Sequence, residues 1–162
     1  MKVFIKNKLI SWGGSSTVVN ENEEPVFKVK GKIFSPTKKK KIYDMEGNLL
    51  YTVRNKYWTA FTRRVLINDA DKNRVATIKK GKYSINSRFE IEDNEDAMEI
   101  SGKIFSRTSK IIRNGEEVAT ITREFTFIRD AFCLEANEEE IAFMTALVIG
   151  FDNMKDDIQD DD

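Results

Sequence analysis

Histidine is absent from the 162-residue chain. That removes Ser-His-Asp and Cys-His nucleophilic sites, histidine proton shuttles and most zinc sites. Cys133 is the only cysteine, so the chain can form no internal disulfide and no cysteine-based structural zinc site, a usage that suits a reducing cytosol. Two prolines and a 40% hydrophobic fraction argue against disorder. Long apolar runs are missing too. The longest, Ile141–Phe151, is interrupted by Thr145 and falls short of the roughly 20 residues that span a bilayer. Met1–Ser11 interleaves lysine with apolar residues, unlike the unbroken core of a secretory leader. The expectation is a cytoplasmic chain with no transmembrane segment, at most peripheral to a membrane. Any chemistry would fall to carboxylates, lysine, tyrosine or hydroxyls.

Net charge is also lacking, because 27 Lys+Arg balance 27 Asp+Glu. The balance hides a division. Residues 25–89 carry 17 basic against four acidic groups, and residues 90–162 carry seven against 20. Such asymmetry points to a polyanionic partner, to pairing of the two halves, or to both.

What the chain does have is repetition. Lys8-Leu9-Ile10-Ser11 returns as Lys32-Ile33-Phe34-Ser35, and Gly31-Lys32-Ile33-Phe34-Ser35 returns as Gly102-Lys103-Ile104-Phe105-Ser106. Asn20, Asp44 and Asp69 recur at offsets of 24 and 25. Each unit reads as strand, turn, strand. Phe27, Val29, Gly31 and Ile33 alternate with Lys28, Lys30 and Lys32, a period of two that puts apolar groups on one face. Turn signals separate such segments, at 44–48, 69–73, 93–96 and at Asn114-Gly115. About a dozen short strands result, which predicts a mainly β, closed antiparallel meander.

The C-terminus departs from this pattern. Asn137 has the position of a cap, Glu138–Glu140 suit a first turn, and Asn137 and Glu140 have capping-box spacing. The following residues are apolar on nearly every side of a helix, so protein must cover all of it. The expectation is one domain over 1–154, a barrel wrapped around a central helix at about 138–152, with a frayed acidic tail at 155–162.

The Gly-Lys-Ile-Phe-Ser…Ile-Tyr-Asp-x-x-Gly-Asn…Val pattern at 31–53 resembles the LURP-one-related proteins. The stretch from Asp130-Ala131-Phe132 to Ala146-Leu147-Val148-Ile149-Gly150-Phe151-Asp152 resembles the end of phospholipid scramblases. Both groups belong to the Tubby C-terminal-like superfamily, and the resemblance covers nearly the whole chain. It implies a twelve-stranded barrel around a central hydrophobic C-terminal helix. It implies much less about function: Tubby-like members bind phosphoinositides, scramblases are linked to lipid movement and calcium, and many LURP-one-related members have no assigned activity. Scramblases carry a proline-rich N-terminal region, acylated cysteines and a longer terminal hydrophobic segment, and their absence here argues against scrambling.

Lys38-Lys39-Lys40-Lys41 is the densest charge run. Read as a hairpin tip, and joined by Arg63, Arg64, Lys79, Lys80 and Lys82, it forms a candidate cradle for the phosphates of anionic headgroups, at about 1 kcal/mol per basic group. The competing reading is a solvated tip with lysine-guarded strand edges. Nucleic acid, which wants exposed stacking aromatics, fits less well, because Tyr43, Tyr51, Tyr57, Trp58, Phe61 and Tyr83 fall mostly at alternating strand positions. Asp69-Ala70-Asp71-Lys72-Asn73 begins like a calcium loop but has Arg74 and Lys80 where glycine and glutamate belong; it reads as a hairpin turn. The acids from Glu90 to Glu99 read as a hairpin complementary to the basic half, with no spacing that specifies a carboxylate pair or metal site. Cys133 reads as a buried structural thiol. No cofactor is called for. The functional expectation is a non-enzymatic binding or scaffold domain that meets an anionic membrane surface or an acidic protein through its basic half. Self-association through basic and acidic halves is the alternative, and a carboxylate- or metal-dependent hydrolase a remote third.

Overall fold

The computed structural model describes residues 1–6, 15–32, 35–56, 64–80, 89–92, 95–101, 108–125 and 130–159. Twelve strands follow one another along the chain: β1 (Lys2–Lys6), β2 (Ser15–Asn20), β3 (Pro25–Gly31), β4 (Lys40–Tyr43), β5 (Leu49–Asn55), β6 (Arg64–Asp69), β7 (Arg74–Lys80), β8 (Phe89–Glu92), β9 (Met98–Ser101), β10 (Thr108–Arg113), β11 (Glu116–Phe125) and β12 (Asp130–Ala136). Each pairs antiparallel with its sequence neighbours, and β1 closes the ring against β12 from Lys2 opposite Glu135 to Lys6 opposite Ala131. The expected up-and-down barrel is therefore what forms. Closure leaves no edge strand, so the period-two alternation becomes inside against outside. Val3, Ile5, Val18, Ile42, Val53 and Ile67 all point inward and are fully buried.

The repeated Asn20, Asp44 and Asp69 have one structural job. Each side chain accepts a hydrogen bond from the backbone N–H four residues on: Glu24 at 3.0 Å, Asn48 at 2.7 Å and Asn73 at 2.8 Å. The residue three after each is left-handed: Glu23 (φ 64°), Gly47 (φ 95°) and Lys72 (φ 71°). Register shifts at Val18/Val19, Ile42/Tyr43 and Ile67/Asn68 precede the three turns, as in three-to-five-residue hairpins closed by a bulge. Asp69 also accepts from the Asn73 amide at 3.1 Å, so the calcium-loop look-alike is a hairpin turn that uses its own carboxylate. Asn114-Gly115, with φ 51° and 88°, makes a two-residue turn between β10 and β11.

These bonds favour the ionised Asp44. The Asn48 side chain, followed by backbone N–H groups, lowers its pKa below the ordinary 3.8. A depressed folded pKa contributes stability above the unfolded value that is lost as pH falls through the folded one. The urea midpoint is therefore expected to drop below about pH 4, and Asp44→Asn to flatten part of that fall. An unchanged pH profile in the variant would contradict this role.

After β12 the chain turns through a 3-10 segment (Glu138–Glu140) into the helix α1 (Ile141–Gln159). Asn137 Oδ1 accepts from the Glu139 N–H at 3.3 Å. Glu140 does not complete a capping box; its carboxylate pairs with Arg113 at 2.5 Å. The helix enters the barrel here and runs down its interior. Met144, Thr145, Ala146, Leu147 and Asn153 are 0% exposed, and every residue from Met144 to Met154 is buried. Tyr51 meets Phe143 near the entry, with ring centroids 5.9 Å apart, and Phe89 meets Phe151 edge-on at 4.9 Å farther in. Thr145 satisfies its buried hydroxyl by donating to the Ile141 carbonyl at 2.7 Å. Gly150 lets the helix come close to the wall, for a Cβ there would lie 2.9 Å from Ile78 Cδ1 and 3.1 Å from Val65 Cγ1. The helix extends beyond the expected 152, because no glycine or proline follows Phe151 to stop it. No described helix is long and apolar enough to cross a membrane.

Candidate functional site

Of the basic residues expected to form one cradle, the half-buried Lys38 and exposed Lys39 lie in the connection before β4, and the structure distributes the other described ones among three environments. Lys40 and Lys41 lie not at a hairpin tip but in β4, where alternation continues through the charge run. Ile42 points inward, so Lys40, two positions back, does as well. Lys40 is 4% exposed, and its Nζ donates to Asn153 Oδ1 at 2.7 Å. The Asn153 amide donates in turn to the Lys38 carbonyl at 3.1 Å, and Asn55 Nδ2 approaches the Asn153 carbonyl at 3.5 Å. This buried polar plug ties the far part of α1 to β4, β5 and the connection before β4. The buried Asp152 adjoins it in sequence. Sequence reasoning missed Asn55 and Asn153, although the inward parity of Val53 marks Asn55.

The second environment is an internal ion-pair network. Arg64 and Lys79 stand opposite one another on the outer face of β6 and β7, and Lys79 stands opposite Glu90 on β8. Lys79 bonds Glu92 and contacts Glu90 at 3.1 Å, while Arg64 reaches Glu92 at 3.7 Å. Glu92 first, then Glu90, raises the Lys79 pKa above its ordinary value. Here the basic and acidic halves of the sequence meet within one chain. Of the remaining candidates, Arg63 and Lys82 and the Lys80 side chain lie outside the described residues.

The third environment is the outer face of β3–β5. Lys28 and Lys30 project from β3, Lys41 from β4 and Arg54 from β5. Lys30 stands directly opposite Lys41, and Lys28 opposite Tyr43. The flanking outward partners are uncharged: Ser15 opposite Lys30, Thr17 opposite Lys28 and Thr52 opposite Lys41. None of the four cations forms an ion pair with a described residue. Lys30 Nζ lies 5.0 Å above the Tyr43 ring, a cation–π contact that offsets part of a like-charge cross-strand pair. Lys28 and Lys30 were legible as outward by alternation; their grouping with Lys41 and Arg54 needed the register.

Other chemistry is thin among the described residues. No three Cys, Asp or Glu side chains converge on a possible metal position. Cys133 is buried, and burial first, then Glu124, pushes its thiol pKa up, opposite to nucleophile activation. Met1 is the one large apolar side chain exposed there, so that surface offers charge rather than an apolar patch. Trp12, Tyr57, Trp58, Phe61 and Tyr83 lie outside the described residues.

Comparison with known proteins bears on this arrangement. A family profile described as LURP-one-related matches residues 1–152. The X-ray structure of the Arabidopsis thaliana protein AT5G01750 is similar in fold, with a TM-score of 0.66 and 17% identity, covering 95% of this chain and 91% of that one. A search of curated proteins finds no match.

Proposed function

The chain belongs to the LURP-one-related family, and from that premise we propose that it is a non-enzymatic binding or scaffold domain that contacts anionic phospholipid headgroups through the outer face of β3–β5. One observation carries the reading: Lys28, Lys30, Lys41 and Arg54 share a face without a carboxylate among their described neighbours, and Lys30 directly opposes Lys41. A cross-strand pair of like charges costs up to about 1 kcal/mol, and a fold that keeps such a cost at its surface has a use for it. Arg64 and Lys79, already paired, contribute little to this face. The same internal pairs weigh against self-association through basic and acidic halves, since those halves meet within one copy.

At about 1 kcal/mol per cation near an anionic surface, four supply on the order of a thousandfold preference for anionic over neutral vesicles. Sedimentation with phosphatidylserine-containing and phosphatidylcholine-only vesicles at low salt tests this. The protein is expected to pellet with the former alone and to be released at high salt. Lys28→Glu, Lys30→Glu and Lys41→Glu together should reduce pelleting to the neutral-vesicle level, while Arg64→Gln changes it little. Equal pelleting with both vesicle types would overturn the membrane reading. The domain would act as a peripheral cytoplasmic protein.

A further inference from the structure

The cationic face is itself electrically graded along its strands. The β2–β3 and β4–β5 turns, 21–24 and 44–48, lie at the end where α1 enters and hold Glu21, Glu23, Glu24, Asp44 and Glu46 with no basic residue. At the opposite end of the same strands stand Lys32, Lys38, Lys39 and Lys56, and the described positions there, 32, 35–39 and 56, hold no acid. Lys28, Lys30, Lys41 and Arg54 lie between. The acidic character of the helix-entry end extends around the described part of the barrel. In the described connections at the helix-entry end, 21–24, 44–48, 70–73, 95–97, 114–115 and 137–140, eleven charged residues are acidic and one, Lys72, is basic.

From this gradient we infer a docking pose, which rests on the membrane reading above: the barrel meets an anionic bilayer tilted, with the Lys32/Lys39/Lys56 end of β3–β5 down and the acidic turns lifted away. The seven residues of β3 span about 23 Å. The potential of an anionic leaflet decays over about 8–10 Å. Lying flat would bring the Glu21–Glu24 and Asp44–Glu46 turns into that potential and set their repulsion against the lysines. Tilting keeps every attraction at the lower end and places the carboxylates beyond the decay length. Some of these acids are already engaged: Glu21 contacts Lys2 at 3.8 Å, Glu24 accepts from Asn20 at 2.8 Å, and Asp44 is bound into its own turn. Their charge persists at the rim, since those contacts are exposed.

The test uses single fluorophores placed at the two ends of β3. Asn22 in the acidic turn and Pro36 in the turn before β4 are both exposed and uncharged. Asn22→Cys and Pro36→Cys variants accept a maleimide dye ahead of Cys133, which is buried. With phosphatidylserine-containing vesicles carrying a headgroup quencher, the dye at 36 is expected to be quenched at least threefold more strongly than the dye at 22. Adding Glu21→Lys and Glu46→Lys should flatten the pose, raising quenching at 22 and tightening vesicle binding severalfold. Equal quenching at both ends, stronger quenching at 22, or no effect of the double reversal would overturn the tilt while leaving membrane binding standing. Failure of the full chain to pellet with these vesicles would remove the membrane reading, and the pose with it.

Discussion

Leu147→Asp is expected to yield no folded protein. Leu147 is 0% exposed in the middle of α1, flanked by Ala146 and Val148, which are 0% and 2% exposed. Losing the leucine forfeits about 2–3 kcal/mol of burial. Placing a carboxylate there costs several kcal/mol more, whether it stays charged without a partner or is forced to take up a proton. Together these approach the whole stability of a typical domain, about 5–15 kcal/mol. The barrel has no other way to fill its interior, because the inward residues of its strands pack on the helix: Ile78, Val65 and Val53 close on Gly150, and Phe89 closes on Phe151. Leu147→Met, which keeps volume and polarity, should cost less than about 1.5 kcal/mol. Far-UV circular dichroism and urea unfolding separate the outcomes. A Leu147→Asp protein that unfolds cooperatively at the wild-type midpoint would refute a central buried helix.

Much of this architecture was legible in the letters, and the limits have physical causes. Alternation in Phe27-Lys28-Val29-Lys30 fixes which face of β3 is wet, and an apolar sequence on all sides of α1 requires a closed shell. Asn20, Asp44 and Asp69 announced turns because a short side-chain oxygen can reach the backbone N–H four residues on. Lys38–Lys41 was opaque because a run of identical residues shows no period; only the parity inherited from Ile42 reveals that Lys40 faces inward. The end of α1 was opaque because charged residues after Phe151 signal exposure, yet none of them terminates a helix. Pairing of Arg64 and Lys79 with Glu90 and Glu92 depended on cross-strand register, which a sequence of strands and turns leaves open. The site was therefore less legible than the fold: the sequence grouped basic residues by proximity along the chain, whereas the barrel groups them by neighbouring strands.

The plug between α1 and β4 should show strong energetic coupling. Near the helix's far end Asn153 accepts from Lys40 Nζ in a buried bond and donates to the Lys38 carbonyl in a half-buried one. Asn153→Leu removes an acceptor from a buried lysine and a donor from a carbonyl, at an expected cost of about 2–4 kcal/mol. Lys40→Met leaves Asn153 Oδ1 without this donor and is expected to cost about 1–3 kcal/mol. The double variant replaces both polar groups by apolar ones, so it should be more stable than the sum of the singles predicts, by at least about 1 kcal/mol in a denaturant double-mutant cycle. Additive costs would show that the contact is incidental. The consequence reaches the outer face. Asn153 holds the Lys38 backbone at the entrance to β4, and that register turns Lys40 in and Lys41 out. Under conditions where Asn153→Leu remains folded, its binding to anionic vesicles should therefore weaken although no surface charge has changed, and the double variant, which lacks the same Asn153 amide, should show the same weakening.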